Sequence, residues 1–385
     1  MLKSFTNLIF IRQTKFLFLS FFLFANAVGI NLVIFPSILK LHKISPSQIG
    51  IAFGIEVCGV AFMSFFLSKF VKKFGIVNSL RIASILYASI VLIIYFYSSF
   101  WWWLLLVFML GCCWLIFAIC RLSWLNLLLN DEERGLGIGI FSALISGGLA
   151  FGPLVVKLFG AENYFTFVVS ALSVLGASFC LNPLKKEIQP QINSERIPMI
   201  KFLKKSPNSF FSRFFLDFTT YSMLSLSVVF GTGIGFTNEN SGLLITAYMT
   251  SGFFDIFVGF MLKKISAKKL INIGYLGCLY TFLLVSLYQK SFYFLIILFF
   301  IFGLFIACIY VSVFKMINED YEEKDLIPAN STFQFIGTCG ALTGSLICGF
   351  MINYFGAQGF PITICFGCLF YLTFLVIYEK NKNNS

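Results

Sequence analysis

Among the ionisable side chains inside otherwise apolar runs, Glu56, Arg121, Asp217 and Asp255 lie where they could do chemistry. A charge held away from water must be paired, take up a proton or meet a ligand, so each marks a candidate site. A carboxylate there can exchange a proton, and a guanidinium can hold an anion. Asp217 lies about nine residues into its run, or ~13 Å at the helical rise of 1.5 Å per residue. Counting back 191 residues from Asp217 reaches Asn26 in the first run. Asp217 reads as a carboxylate able to carry a proton, with Asn26 as its counterpart at that spacing; the competing reading makes Asp217 a packing hydrogen bond or the partner of Arg213. Glu56 reads as a proton site or as a pairing group. The same spacing sets Glu56 against Ala247, and Asp255 against Ser64, so neither has an ionisable counterpart. Asp255 reads as an ion-pair partner for the nearby Lys263 or Lys264. Arg121 either binds an anionic substrate or extends its charged end to the membrane interface.

The elements that must position these groups follow from composition. Hydrophobic residues make up 59% of the 385, charged residues only 11%, and Phe alone occurs 52 times. A soluble domain carries about 25% charged residues. The balance excludes a disordered chain, a soluble multidomain enzyme and a nucleic-acid binder, and leaves an all-α membrane protein. A hydrocarbon core ~30 Å thick needs roughly 20 apolar residues per helix. Twelve such spans are legible, near 15–39, 48–68, 76–98, 100–121, 136–160, 162–182, 210–232, 240–262, 270–288, 291–314, 328–354 and 359–378. Runs such as Phe292–Phe302 do not alternate apolar with polar residues, which excludes a β-barrel.

Charge sets the orientation. With the N-terminus inside, the inner loops, tails and inner ends of the spans hold 24 of the 28 Lys and Arg, and the outside keeps Lys40, Lys43, Lys157 and Lys290. This positive-inside bias places both termini in the cytoplasm and accounts for the net charge of +12 without an anionic partner. Ala25-Asn26-Ala27 after a basic start resembles a cleavage site, but apolar residues continue to Leu39, so the first run reads as an uncleaved helix. All eleven cysteines fall inside spans. Cys365 and Cys368 read as small buried hydrophobes rather than as a redox or metal pair, and His42 stands alone, so no metal site is expected. Trp101–Trp103 reads as an interfacial aromatic belt.

An internal repeat divides the chain. Ser68-Lys-Phe-Val-Lys72-Lys73-Phe-Gly75 after span two matches Gly259-Phe-Met-Leu-Lys263-Lys264-Ile-Ser266 after span eight, 191 residues on. Gly148-xxx-Gly152-Pro153 in span five matches Gly340-xxx-Gly344 in span eleven, 192 residues on. Two pseudo-symmetric six-helix halves follow, at 1–182 and 209–385, joined by a basic linker at 183–208.

These residues resemble the major facilitator superfamily. Its loop after helix two carries a glycine, an acidic residue and a basic cluster. Here both copies replace the acid with Lys72 or Lys263, keep Lys73 or Lys264, and the first keeps Gly75. Gly148, Gly152 and Pro153 look like the family's antiporter motif without its following glycine pair, and Val107 replaces the fourth-helix arginine. The resemblance implies that helices one, four, seven and ten line a central cavity, across which Asp217 and Asn26, the leading candidate for substrate or proton coupling, would face each other. It also implies that spans five and eleven meet where the halves move, and that the loop motifs lock the inner side. Without an acid, Lys72 and Lys263 face helix C-termini or simply follow the positive-inside rule. The glycines serve gating or ordinary tight packing.

The expectation is a secondary transporter of a small organic solute in the cytoplasmic membrane, monomeric, coupled to H+ and needing no cofactor. No phosphate-binding loop, selectivity filter or catalytic cluster is seen, which argues against an ATP-driven pump, a channel and a membrane enzyme. The partial antiporter motif favours export. Proton-symport uptake of a nutrient or siderophore-like metal chelate is the alternative within the class. A non-transporting receptor on the same fold is the alternative outside it.

Overall fold

A computed structural model describes residues 12–96, 99–128, 131–181, 197–289 and 291–383. In lipid every backbone N–H and C=O must be satisfied within the segment, so apolar runs of this length become helices. Spans one to six are Arg12–Leu41, Pro46–Phe74, Ile76–Tyr95, Phe100–Leu128, Asp131–Phe159 and Tyr164–Phe179. Spans seven, nine, ten, eleven and twelve are Pro207–Gly233, Ala267–Leu287, Phe292–Asp320, Glu323–Phe355 and Gly359–Asn383. Span eight is interrupted: helix Asn238–Thr250 passes through a 3-10 turn, Ser251–Phe254, into helix Asp255–Met261. The twelve-helix architecture expected from the sequence is present, and the chain is a multi-pass membrane protein.

Local chemistry sets the helix ends. Asn163 accepts a hydrogen bond from the Phe165 N–H at 3.0 Å to open span six, and Thr237 accepts one from the Asn240 N–H at 3.2 Å to open span eight. Pro207 begins span seven, where its missing N–H is no loss. Gly75 turns between spans two and three at φ 74°, a conformation that favours glycine.

The inner part of the expected linker, 183–196, lies outside the described residues, as do Lys185, Lys186 and Arg196. Beyond it a short helix, Met199–Lys205, precedes span seven. There the Phe202 ring stacks on Tyr321 at 5.4 Å, and Thr332 donates to the Ile197 carbonyl at 2.7 Å.

Two compact units are formed. The first comprises Met1–Ile38 and Ile55–Asn193, the second Leu39–Gly54 and Ser194–Ser385. Within the first, span three packs on spans four and six; within the second, span nine packs on spans ten and twelve. These are the same helix pairs one repeat apart.

Candidate functional site

The two units share their close crossings as well as their helix pairs. A Cβ on Gly148 would lie 2.6 Å from the Phe22 carbonyl oxygen of span one, and one on Gly152 would overlap Gly29. In the second unit, Cβ atoms on Gly340 and Gly344 would overlap the carbonyl oxygens of Phe214 and Phe218 in span seven. Spans two and four cross at Gly111, over the Glu56 carbonyl; spans eight and ten cross at Gly303, beside the Tyr248 carbonyl. Small residues let the backbones come this close. The pairs Gly111/Gly303, Gly148/Gly340 and Gly152/Gly344 are each 192 apart. On that register the counterpart of Asp217 is Ala25, next to Asn26, and that of Glu56 is Tyr248. All four motif glycines therefore pack within their own unit. Pro153 follows Gly152 inside the continuous helix of span five.

Arg121 is the most unusual group in the first unit. Only 2% of it is exposed, so the side chain is buried rather than extended toward an interface. Its guanidinium carbon lies 4.6 Å from the ring centre of Phe24 and 4.6 Å from that of Phe117. Nε and Nη2 make no hydrogen bond among the described residues. Among the described residues, the titratable side chains that act on it are the thiols of Cys120 and Cys180. A charged arginine at the centre of an apolar helix costs about 3 kcal/mol on insertion scales. Each ring face offsets about 1 kcal/mol of that.

A polar chain runs beside it. Ser170 donates to Asn31 Oδ1 at 2.8 Å, and Asn31 Nδ2 donates to the Tyr87 hydroxyl at 2.8 Å. The Tyr87 hydroxyl lies within electrostatic reach of Glu56. Tyr87 also packs on Phe24 at 5.7 Å and Phe117 at 6.1 Å. Among the described residues the Glu56 carboxylate has neither an ion pair nor a hydrogen bond. Asn26 donates to Ser173 at 3.3 Å, while its buried Oδ1 has no partner among the described residues.

In the second unit Arg213 and Asp217 are paired. Arg213 Nη2 meets Asp217 Oδ2 at 2.7 Å, with side-chain exposures of 8% and 17%. The same nitrogen donates to Gln334 Oε1 at 3.0 Å. The Arg213 guanidinium lies 5.5 Å from the Phe314 ring and 5.0 Å from Phe333. Gly337 leaves room for the pair, since a Cβ there would overlap Asp217 and Arg213. Asp217 thus takes the ion-pair arrangement, with Arg213 one helical turn earlier. The two aromatic-flanked arginines sit on exchanged elements: Arg121 is on span four with a ring from span one, and Arg213 is on span seven with a ring from span ten.

The loop residues are simpler. Lys72, Lys73, Lys263 and Lys264 are exposed. Lys73 lies 5.3 Å from the ring of Phe74, and Lys263 5.3 Å from that of Phe260. Asp255 opens the last helical segment of span eight, half-buried and within reach of Cys308. The helix C-terminus there is met by Lys315 of span ten, which donates to the Leu262 carbonyl at 3.1 Å. Lys315 also pairs with Glu319 at 3.5 Å. Cys368 is buried and Cys365 half-buried; of the tryptophans, Trp101 is exposed while Trp103 turns inward against Phe35 at 5.5 Å.

Tyr87, Asn31, Ser170, Gln334 and Lys315 were not singled out in the sequence. Polar residues inside apolar runs were the available signal, but pairing them requires the helix packing.

The fold is a membrane-embedded bundle of twelve helices whose helix pairs and close crossings recur in two units. The sequence profile of the Major Facilitator Superfamily matches residues 17–238 and 209–385, and the chain belongs to that family. Among solved structures, the nucleoside transporter NupG superposes with a TM-score of 0.78 at 12% identity, over 96% of this chain and 98% of that one. A point mutant of NupG gives 0.81 at 12% identity, over 96% and 99%. A bacterial homologue of the human lysosomal transporter Spinster, inward-facing and occupied, gives 0.75 at 14% identity, over 94% and 93%. At these identities the likeness is one of fold. No curated protein matches the chain by sequence.

Proposed function

We propose that the protein is a secondary active transporter that carries a small organic solute across the cytoplasmic membrane and is driven by protons through Glu56. One observation carries the choice of Glu56. It is a carboxylate in the apolar part of span two with no counter-cation among the described residues, whereas Asp217 is tied to Arg213 at 2.7 Å. An unpaired carboxylate exchanges a proton without first breaking an ion pair; Asp217 would have to release Arg213. Asp217 and Arg213 are assigned to holding spans seven and eleven together through Gln334 and Gly337.

Alternating access in folds of this kind moves one repeat against the other. Gly148, Gly152, Gly340 and Gly344 give each moving unit a rigid pair of helices, spans one with five and seven with eleven. Lys72, Lys73, Lys263, Lys264 and Asp255 are the groups for a lock at the inner ends of spans two and eight. The positive-inside bias supports cytoplasmic termini, and the Gly148-xxx-Gly152-Pro153 arrangement favours export. A nucleoside carrier among the fold neighbours supports an organic cargo.

The test is solute-driven proton movement in proteoliposomes holding the purified protein and a trapped pH dye, under an imposed pH gradient. Proton flux that depends on one member of a panel of organic solutes supports the reading, and its sign gives antiport or symport. Silence across the panel favours a receptor on the same fold.

A further inference from the structure

The polar atoms that Arg121 leaves unpaired are not random members of its fork. Nε and Nη2 are adjacent and form one edge of the guanidinium, the edge that grips two oxygens of one oxyanion side by side. Its flanking rings, Phe24 and Phe117, have their centres 4.6 Å from the guanidinium carbon. The charge is buried in the first unit and, among the described residues, faces no carboxylate. By contrast Arg213, the other buried arginine with aromatic neighbours, has its protein carboxylate in Asp217. The first unit therefore contains an arginine of the same kind with the carboxylate missing.

We infer that Arg121 is the anchor for the carboxylate of an organic anion whose apolar body packs against Phe24, Phe117 and Tyr87. The anion supplies for Arg121 what Asp217 supplies for Arg213, and does so with two parallel N–H···O bonds. Tyr87, on the chain Ser170–Asn31–Tyr87, borders the same aromatic group and lies within electrostatic reach of Glu56. The assignment rests on the transporter reading, since it names the substrate class of that carrier.

The experiment uses the full chain in lipid nanodiscs, with benzoate as probe and benzamide as its uncharged counterpart, in phosphate-free buffer. Calorimetric titration should show saturable benzoate binding to the wild type and none of benzamide. Arg121→Gln should weaken benzoate at least about tenfold, the loss expected for a charge-assisted pair of hydrogen bonds. Arg121→Lys keeps the charge but lacks the fork, and should also bind benzoate more weakly; it decides the matter if Arg121→Gln fails to fold. No benzoate binding by the wild type, equal binding of benzamide, or unchanged affinity in both variants overturns the assignment. Benzoate bound through Arg121 but moving no protons in proteoliposomes would remove the coupling and leave this site standing. Proton-coupled transport of another solute, with no benzoate bound, would remove this site alone.

Discussion

Replacing Asp217 by Asn tests whether that carboxylate serves structure. Its Oδ2 lies 2.7 Å from Arg213 Nη2, and both side chains are largely buried. At that separation the attraction is about 6 kcal/mol for an effective dielectric of 20, before desolvation is subtracted. Removing one partner of a buried pair costs roughly 3–5 kcal/mol, because the other charge stays buried alone. Here Arg213 keeps Gln334 at 3.0 Å and two ring faces. The expected loss is therefore at the low end, about 3 kcal/mol. The double variant Arg213→Gln, Asp217→Asn removes both charges and should cost less than the two single losses added, by about 2 kcal/mol. Equilibrium unfolding in mixed micelles titrated with dodecyl sulfate measures all four proteins. A single loss below about 1 kcal/mol, or losses that simply add, would refute the structural assignment and return Asp217 to the coupling site.

Other outcomes follow from the same geometry. Gly340→Ala should cost about 1–3 kcal/mol in the unfolding assay, because its Cβ would overlap the Phe214 carbonyl. Gly259→Ala, with nothing near its Cβ, should be neutral or slightly stabilising. Tyr87→Phe takes the acceptor from Asn31 Nδ2 and should cost about 1–2 kcal/mol in the same assay. Lys315→Met leaves the Leu262 carbonyl without its cation and should lose about 1 kcal/mol.

Much of the fold was legible because the bilayer leaves few choices. Most apolar runs became helices with ends near those expected, though span two runs on to Phe74, past the expected 68. Span four reaches Leu128 and span ten Asp320, past the expected 121 and 314, because helices continue beyond the apolar segment that betrays them. The 3-10 turn Ser251–Phe254 was not legible, since Ser-Gly-Phe-Phe inside an apolar run does not distinguish it from helix. Among the candidate residues, the identities carried further than the partners. Glu56, Arg121 and Asp217 were visible as charges in apolar runs, and Arg213 as one of two readings for Asp217. That Arg121 is buried between Phe24 and Phe117 depends on how spans one and four pack. The repeat register depends on packing too. The loop basic pairs count 191, but the glycine crossings count 192, and that one-residue difference moves the counterpart of Glu56 from Ala247 to Tyr248.

The central claim is that Glu56 carries the proton. Solute-driven proton flux in proteoliposomes, compared for wild type, Glu56→Gln and Asp217→Asn, tests it most directly, with solute binding measured alongside. The account predicts that Glu56→Gln still binds solute but moves no protons, while the Asp217→Asn protein that remains folded stays coupled. Full coupling in Glu56→Gln, or its loss in folded Asp217→Asn with Glu56 intact, would contradict it.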